Sequence, residues 1–138
     1  MPLVTLTCSD KLYPVDDPGA HQGVPHVVVG LARELPLLIT DHGAVINPVG
    51  VPEAGVQVDI RKFHSAAVNN VDLWIHVQLT EDPGDEDARL RVRETLKTII
   101  SDFFTEYGLT NVSWALDIFF GPGHGCFTDS AGNIAEEW

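Results

Sequence analysis

The sequence predicts a two-layer α+β domain in the order β-α-β-β-α-β, with a four-stranded sheet carrying two helices on one face. Three observations predict it. Four segments alternate apolar and polar residues with a period of two, and two others carry apolar residues at helical spacing. Their order then groups them into two β-α-β units of similar length, with no residue-level repeat between them. In each unit the crossover helix is expected to pack right-handedly on the same sheet face. A chain of 138 residues is long enough to bury a substantial core as one domain.

The first strand is expected over Leu3 to Cys8, followed by an Asp-, Pro- and Gly-rich loop from Asp10 to Gly23. A helix opens near Val24, with Val24, Val27, Val28, Leu31 and Leu35 on one side, and Pro36 ends or kinks it. Irregular chain is expected from Thr40 to Gly55. The second strand, Val56 to His64, turns Val56, Val58 and Ile60 one way and Gln57, Asp59 and Arg61 the other. After a turn at Asn69-Asn70, the third strand, Val71 to Leu79, sets Leu73, Ile75 and Val77 against Trp74, His76 and Gln78. Asp82-Pro83-Gly84-Asp85 breaks the chain and caps a second helix whose stripe is Val92, Leu96, Ile99, Ile100, Phe103, Phe104 and Tyr107, with Gly108 as its stop. The fourth strand, Val112 to Phe120, puts Trp114, Leu116 and Ile118 on one face and Ser113, Ala115, Asp117 and Phe119 on the other. Residues 121–138 read as a polar, glycine-rich extension that still carries Phe127, Ile134 and Trp138.

Composition narrows the function. Eight Lys plus Arg against twenty Asp plus Glu give a formal charge of −12, which repels phosphate backbones and argues against nucleic acid as partner. No apolar run reaches the ~18 residues of a membrane span and the start lacks a signal-peptide pattern, so a cytoplasmic protein without a membrane partner is expected. Six histidines show no metal-ligand spacing, and Cys8 and Cys126 form no motif, so neither metal nor other cofactor is expected. Cys8 reads as a small buried apolar residue. Gly121-Pro122-Gly123-His124-Gly125 follows a strand but opens no helix and lacks a lysine, so it is not read as a phosphate loop.

The face opposite the helices gathers Gln57, Asp59, Arg61, Trp74, His76, Gln78, Asp117 and Phe119. This mixture of aromatic and polar groups suits burial against another subunit around a wet cavity better than an ordinary solvated face. The start, Met1-Pro2, adds a possible base: removal of the initiator methionine would leave Pro2 as a free secondary amine at the head of the first strand.

A Met-Pro start on a β-α-β-β-α-β chain resembles the tautomerase superfamily. Within it, Met1-Pro2 with Cys8-Ser9-Asp10, then Pro52-Glu53-Ala54-Gly55, then Leu73-Trp74-Ile75-His76-Val77-Gln78-Leu79, is similar to the 5-carboxymethyl-2-hydroxymuconate isomerase-like proteins. The likeness spans roughly the first 120 residues as architecture with short islands. It implies a homotrimer whose non-helical faces meet, an isomerase of aromatic-compound catabolism, and Pro2 as general base on a small enol or dienol carboxylic acid. The chain departs from the family at its arginines. Gln57 and Asp59 stand at the expected strand positions, and the second helix opens Asp85-Glu86-Asp87. Arg61 is the one arginine on that strand, either clamping a substrate carboxylate or pairing with Asp59. Trp74, His76, Asp117 and Phe119 complete the candidate substrate-binding set, while Arg89, Arg91 and Arg93 are expected to pair with acidic neighbours within their helix. A catalytically inactive trimer serving as a binding or scaffold protein is the alternative, as is a hydratase, dehalogenase or decarboxylase using protonated proline as acid.

Overall fold

A computed structural model describes residues 3–9, 24–41, 55–63, 71–79, 82–109, 111–121 and 124–135. Pro2, the loops 10–23 and 42–54, the Asn69-Asn70 turn and Trp138 lie outside the described residues. The elements are β1 (Leu3–Cys8), α1 (Val24–Asp41), β2 (Gln57–Lys62), β3 (Leu73–Gln78), α2 (Glu86–Glu106), β4 (Trp114–Phe119), β5 (Gly125–Asp129) and β6 (Ile134–Ala135). It is a mixed α+β fold with two helices.

The six strands form one sheet in the order β2-β1-β3-β4-β5-β6. β1 runs parallel to β2 and antiparallel to β3; β3 runs parallel to β4; β5 and β6 add antiparallel at the far edge. This corrects the expected four strands. Residues 125–135 are a hairpin joined to the sheet, and only part of the expected extension lies outside it. Its alternation is short but present: the buried Cys126 and Thr128 alternate with the less buried Phe127 and Asp129. Gly121, at φ +98°, turns the chain out of β4 in a backbone conformation that a side chain would oppose.

One face of the sheet builds the core. Val4, Leu6 and Cys8 on β1 lie beside Val77, Ile75 and Leu73 on β3, which lie beside Ile118, Leu116 and Trp114 on β4. All nine are buried in a single cluster with Val28, Leu31, Leu35 and Ile39 of α1 and Val92, Leu96, Ile100 and Phe103 of α2. Both helices therefore bury their stripes against the same layer of strand residues. Cys8 is fully buried, as its apolar reading requires.

Two helix boundaries show opposite outcomes. α2 starts where its cap predicts, with Asp85 Oδ1 accepting from Ala88 N at 2.8 Å, and stops before Gly108 at φ +69°. α1 continues five residues past Pro36 instead of ending there. Leu35 and Ile39 are both buried on either side of the proline, so core packing carries the helix over the donor that Pro36 lacks.

Candidate functional site

Strand alternation sends the odd-numbered residues of β1 and the even-numbered residues of β3 to the face away from the helices. Across that face, Thr5 lies opposite His76, His76 opposite Asp117, and Asp117 opposite Phe127. One residue pair along, Thr7 lies opposite Trp74 and Trp74 opposite Ala115. At the other end of β3, Gln78 lies between Leu3 and Phe119.

Asp117 organises the centre. Its Oδ1 accepts from the Trp74 indole Nε1 at 2.9 Å, and its Oδ2 is 2.9 Å from His76 Nδ1. The first is a diagonal cross-strand contact and the second a direct one, so both partners are fixed by sheet register and not by a loop. An ionised carboxylate only accepts, so in this contact the Nδ1–H of His76 donates to Asp117. The Asp117 side chain is 14% exposed and that of His76 31%, leaving the imidazole partly open to solvent while its carboxylate is largely covered. The His76 ring lies 5.3 Å from that of Phe119, and Trp74 lies 6.0 Å from Phe127. Trp74 is 38% exposed, unusual for so large an apolar side chain in the middle of a sheet.

Four of the five expected substrate-binding residues therefore come together: Trp74, His76, Asp117 and Phe119. Arg61 does not join them. It is exposed on the edge strand β2, and Thr7 of β1 separates it from Trp74, so two inter-strand spacings of about 4.8 Å each lie between their backbones. Among the described residues no ion pair joins Arg61 to Asp59, whose carboxylate accepts from Gln57 Nε2 at 3.4 Å. Phe127 is the site residue that sequence reasoning left in the tail. The signal that identifies it is the alternation Cys126-Phe127-Thr128-Asp129 ahead of a Ser-Ala-Gly-Asn turn.

The helix arginines behave differently from expectation. Arg93 does pair within the helix, with neighbouring Glu94 at 3.0 Å. Arg89 instead reaches out of it and holds Asp82, in the segment before α2, through Nε and Nη2 at 2.8 Å each. Both arginines are buried, since positions 89, 93 and 96 fall on the core side of the helix. A buried guanidinium needs a carboxylate in place, and Asp82 supplies one to Arg89. That bond, with a second from Gly84 N, holds the Asp82 carboxyl well below its usual range, to about 2. Arg91 borders a groove of about 550 Å³ with Asp87, Leu90, Glu94 and Thr95, on a helix stripe other than the buried one.

The arrangement supplies a proton acceptor, a carboxylate that orients it, and aromatic walls for a planar molecule. Among the described residues no group of three or more His, Cys, Asp and Glu side chains is placed to hold a metal ion, and no helix is long and apolar enough to cross a membrane. Compared with known proteins, the chain matches no protein-family model and no curated sequence.

Proposed function

We propose that the protein is a tautomerase-like isomerase that moves a proton within a small enol or dienol carboxylic acid, with Pro2 as the general base once Met1 is removed. The observation that carries this reading is the position of β1. It begins at the residue after Pro2 and is an interior strand, hydrogen-bonded to β2 on one side and β3 on the other. A base carried at the head of a strand paired on both sides suits positioned proton transfer. The sheet adds support, since two parallel β-α-β units meet antiparallel at β1 and β3, as the resemblance to the tautomerase superfamily implies.

An ordinary α-amino group titrates near about 7.7–8.0, so a modest loss of solvent contact makes it a neutral base at neutral pH. The amine takes the proton from the enol hydroxyl, the O–H pair becomes the carbonyl π bond, and the C=C pair takes that proton back from the ammonium at carbon, which regenerates the amine; the reverse direction runs the same steps backwards. Trp74, Phe119 and Phe127 would face the conjugated plane. The assembly is a homotrimer closed over the non-helical faces.

A specific observation favours a second reading, a trimer without catalysis that binds or scaffolds. Arg89 is buried and spent on Asp82, and Gln57 and Asp59 occupy the strand positions where the resembled family carries arginine. A carboxylate substrate would then have few cations to meet. The experiment that separates the two readings is the intact mass of untagged protein made from its own start codon, followed by an assay on enol and dienol acids with a Pro2→Ala control. A mass lighter by one methionine and a rate lost in Pro2→Ala support the enzyme. A retained Met1 leaves Pro2 nitrogen as an amide and ends the proline mechanism.

A further inference from the structure

We infer that His76, held by Asp117, is a second acid–base centre on the sheet face, able to isomerise conjugated enols and enones without the Pro2 amine. This goes beyond the proline reading and does not rest on it.

An imidazole held on a sheet face by a carboxylate either transfers protons at its own position or has only a structural role. The site favours the former. The His76 side chain is 31% exposed, so solvent and small molecules reach the ring while its Nδ1 stays on Asp117. Asp117 is in turn pinned by the Trp74 indole. Base, orienting carboxylate and the donor that fixes that carboxylate all sit on the adjacent strands β3 and β4, a rigid support for a proton-transfer group. Among the described residues the ring meets Asp117 and Phe119, and the charged groups that share this face, Asp59 and Arg61 of β2, lie beyond Thr5 and Thr7 of β1.

The aromatic flanks select the substrate class. With Phe119 beside the imidazole and Trp74 against Phe127, a flat, conjugated carbonyl compound bearing an aryl or alkenyl group is the complementary shape. In the step, the Nε2 lone pair takes a proton from the carbon next to the carbonyl. The C–H pair becomes the new C=C, and the carbonyl π pair moves to oxygen. The imidazolium, paired with Asp117, then returns that proton to oxygen, or to the far carbon of the conjugated system. No atom is oxidised or reduced, and His76 ends neutral.

The test uses the full chain with a short Gly-Ser extension before Pro2, which makes the proline nitrogen an amide and removes it from the chemistry. The probe is the enol of an arylpyruvate, followed by the loss of its ultraviolet absorbance from pH 5 to 9. The extended chain is expected to accelerate the conversion, with a pH-dependent limb in kcat/KM. His76→Gln, close in size and partly exposed, should lower the rate about 10²-fold or more and remove that limb. Asp117→Asn should lower kcat with KM little changed, because the ring loses its orienting acceptor, and Trp74→Phe should have the same sense and smaller size. Far-UV circular dichroism checks that each variant folds, and His76→Gln decides alone if Asp117→Asn does not. An unchanged rate and profile in His76→Gln, or no acceleration by the extended chain, overturns the inference. If only the unextended chain is active, proton transfer belongs to Pro2 and His76 is structural.

Discussion

Arg89 is buried on α2 with its charge intact, and Asp82 is the side chain that makes this tolerable. The carboxylate accepts both Arg89 bonds and one from Gly84 N, and lies 3.8 Å from His124 Nε2. Its folded-state pKa is lowered to about 2 from the ordinary 3.8, first by the Arg89 hydrogen bonds. A depressed carboxyl stabilises the fold fully above its unfolded value, and this contribution is lost as pH falls from about 4 through about 2. Asp82→Ala should therefore cost about 1–3 kcal/mol at pH 7, since it removes two bonds from a buried guanidinium. The difference from wild type should shrink toward zero as pH is lowered through that window. Urea melts of both proteins at a series of pH values measure this directly, and a pH-independent difference would show that packing, not the ion pair, is what the substitution removes.

Helix α1 is the element whose local sequence and tertiary setting disagree most. Pro36 cannot donate to the carbonyl of Ala32, yet the helix runs on to Asp41. An interior proline costs about 3 kcal/mol relative to alanine, of which about 0.4–1 kcal/mol is offset by the stiffer unfolded chain. Pro36→Ala should therefore stabilise the protein by about 2 kcal/mol, read as a rise in the denaturation midpoint with an unchanged slope; a loss of stability would mean that the proline ring fills space the core needs. The same competition explains what was legible in the sequence. β1, β3, β4 and α2 are within about two residues of their expected ends because period, caps and stops agree there. At Pro36 the sequence leaves an end or a kink open, and the burial of Leu35 and Ile39, which accompanies the continuation of α1 to Asp41, is not visible in it. β5 and β6 are harder to read because a five-residue strand and a two-residue edge strand in a glycine-rich segment carry little alternation. At the site, Trp74, His76, Asp117 and Phe119 were legible since alternation alone assigns a face. That Asp117 joins Trp74 to His76 was not, because it depends on which strands are neighbours and in what register.

For the molecule as a whole, the open question is what covers the face away from the helices. One side of the sheet is sealed by α1 and α2; the other presents Trp74, Phe119 and Phe127 around a polar centre. A half-aromatic face with an interior carboxylate suits closure against like faces, with the polar groups left in a wet central cavity. Under the homotrimer reading, sedimentation equilibrium should give three times the chain mass of 15.1 kDa. The discriminating variant is Phe127→Lys. Phe127 lies directly opposite Asp117, so in a single chain the new ammonium gains a cross-strand partner of opposite sign and the fold should persist. In the trimer, the same change brings three ammonium groups toward one axis and removes three aromatic contacts. The variant should sediment at 15.1 kDa with its circular dichroism unchanged, and salt should partly restore association by screening the like charges. A wild-type chain that stays monomeric at every concentration sinks the trimer. A Phe127→Lys protein that remains trimeric would place the contact on another surface, such as the open edge of β2, leaving His76 and Asp117 facing solvent.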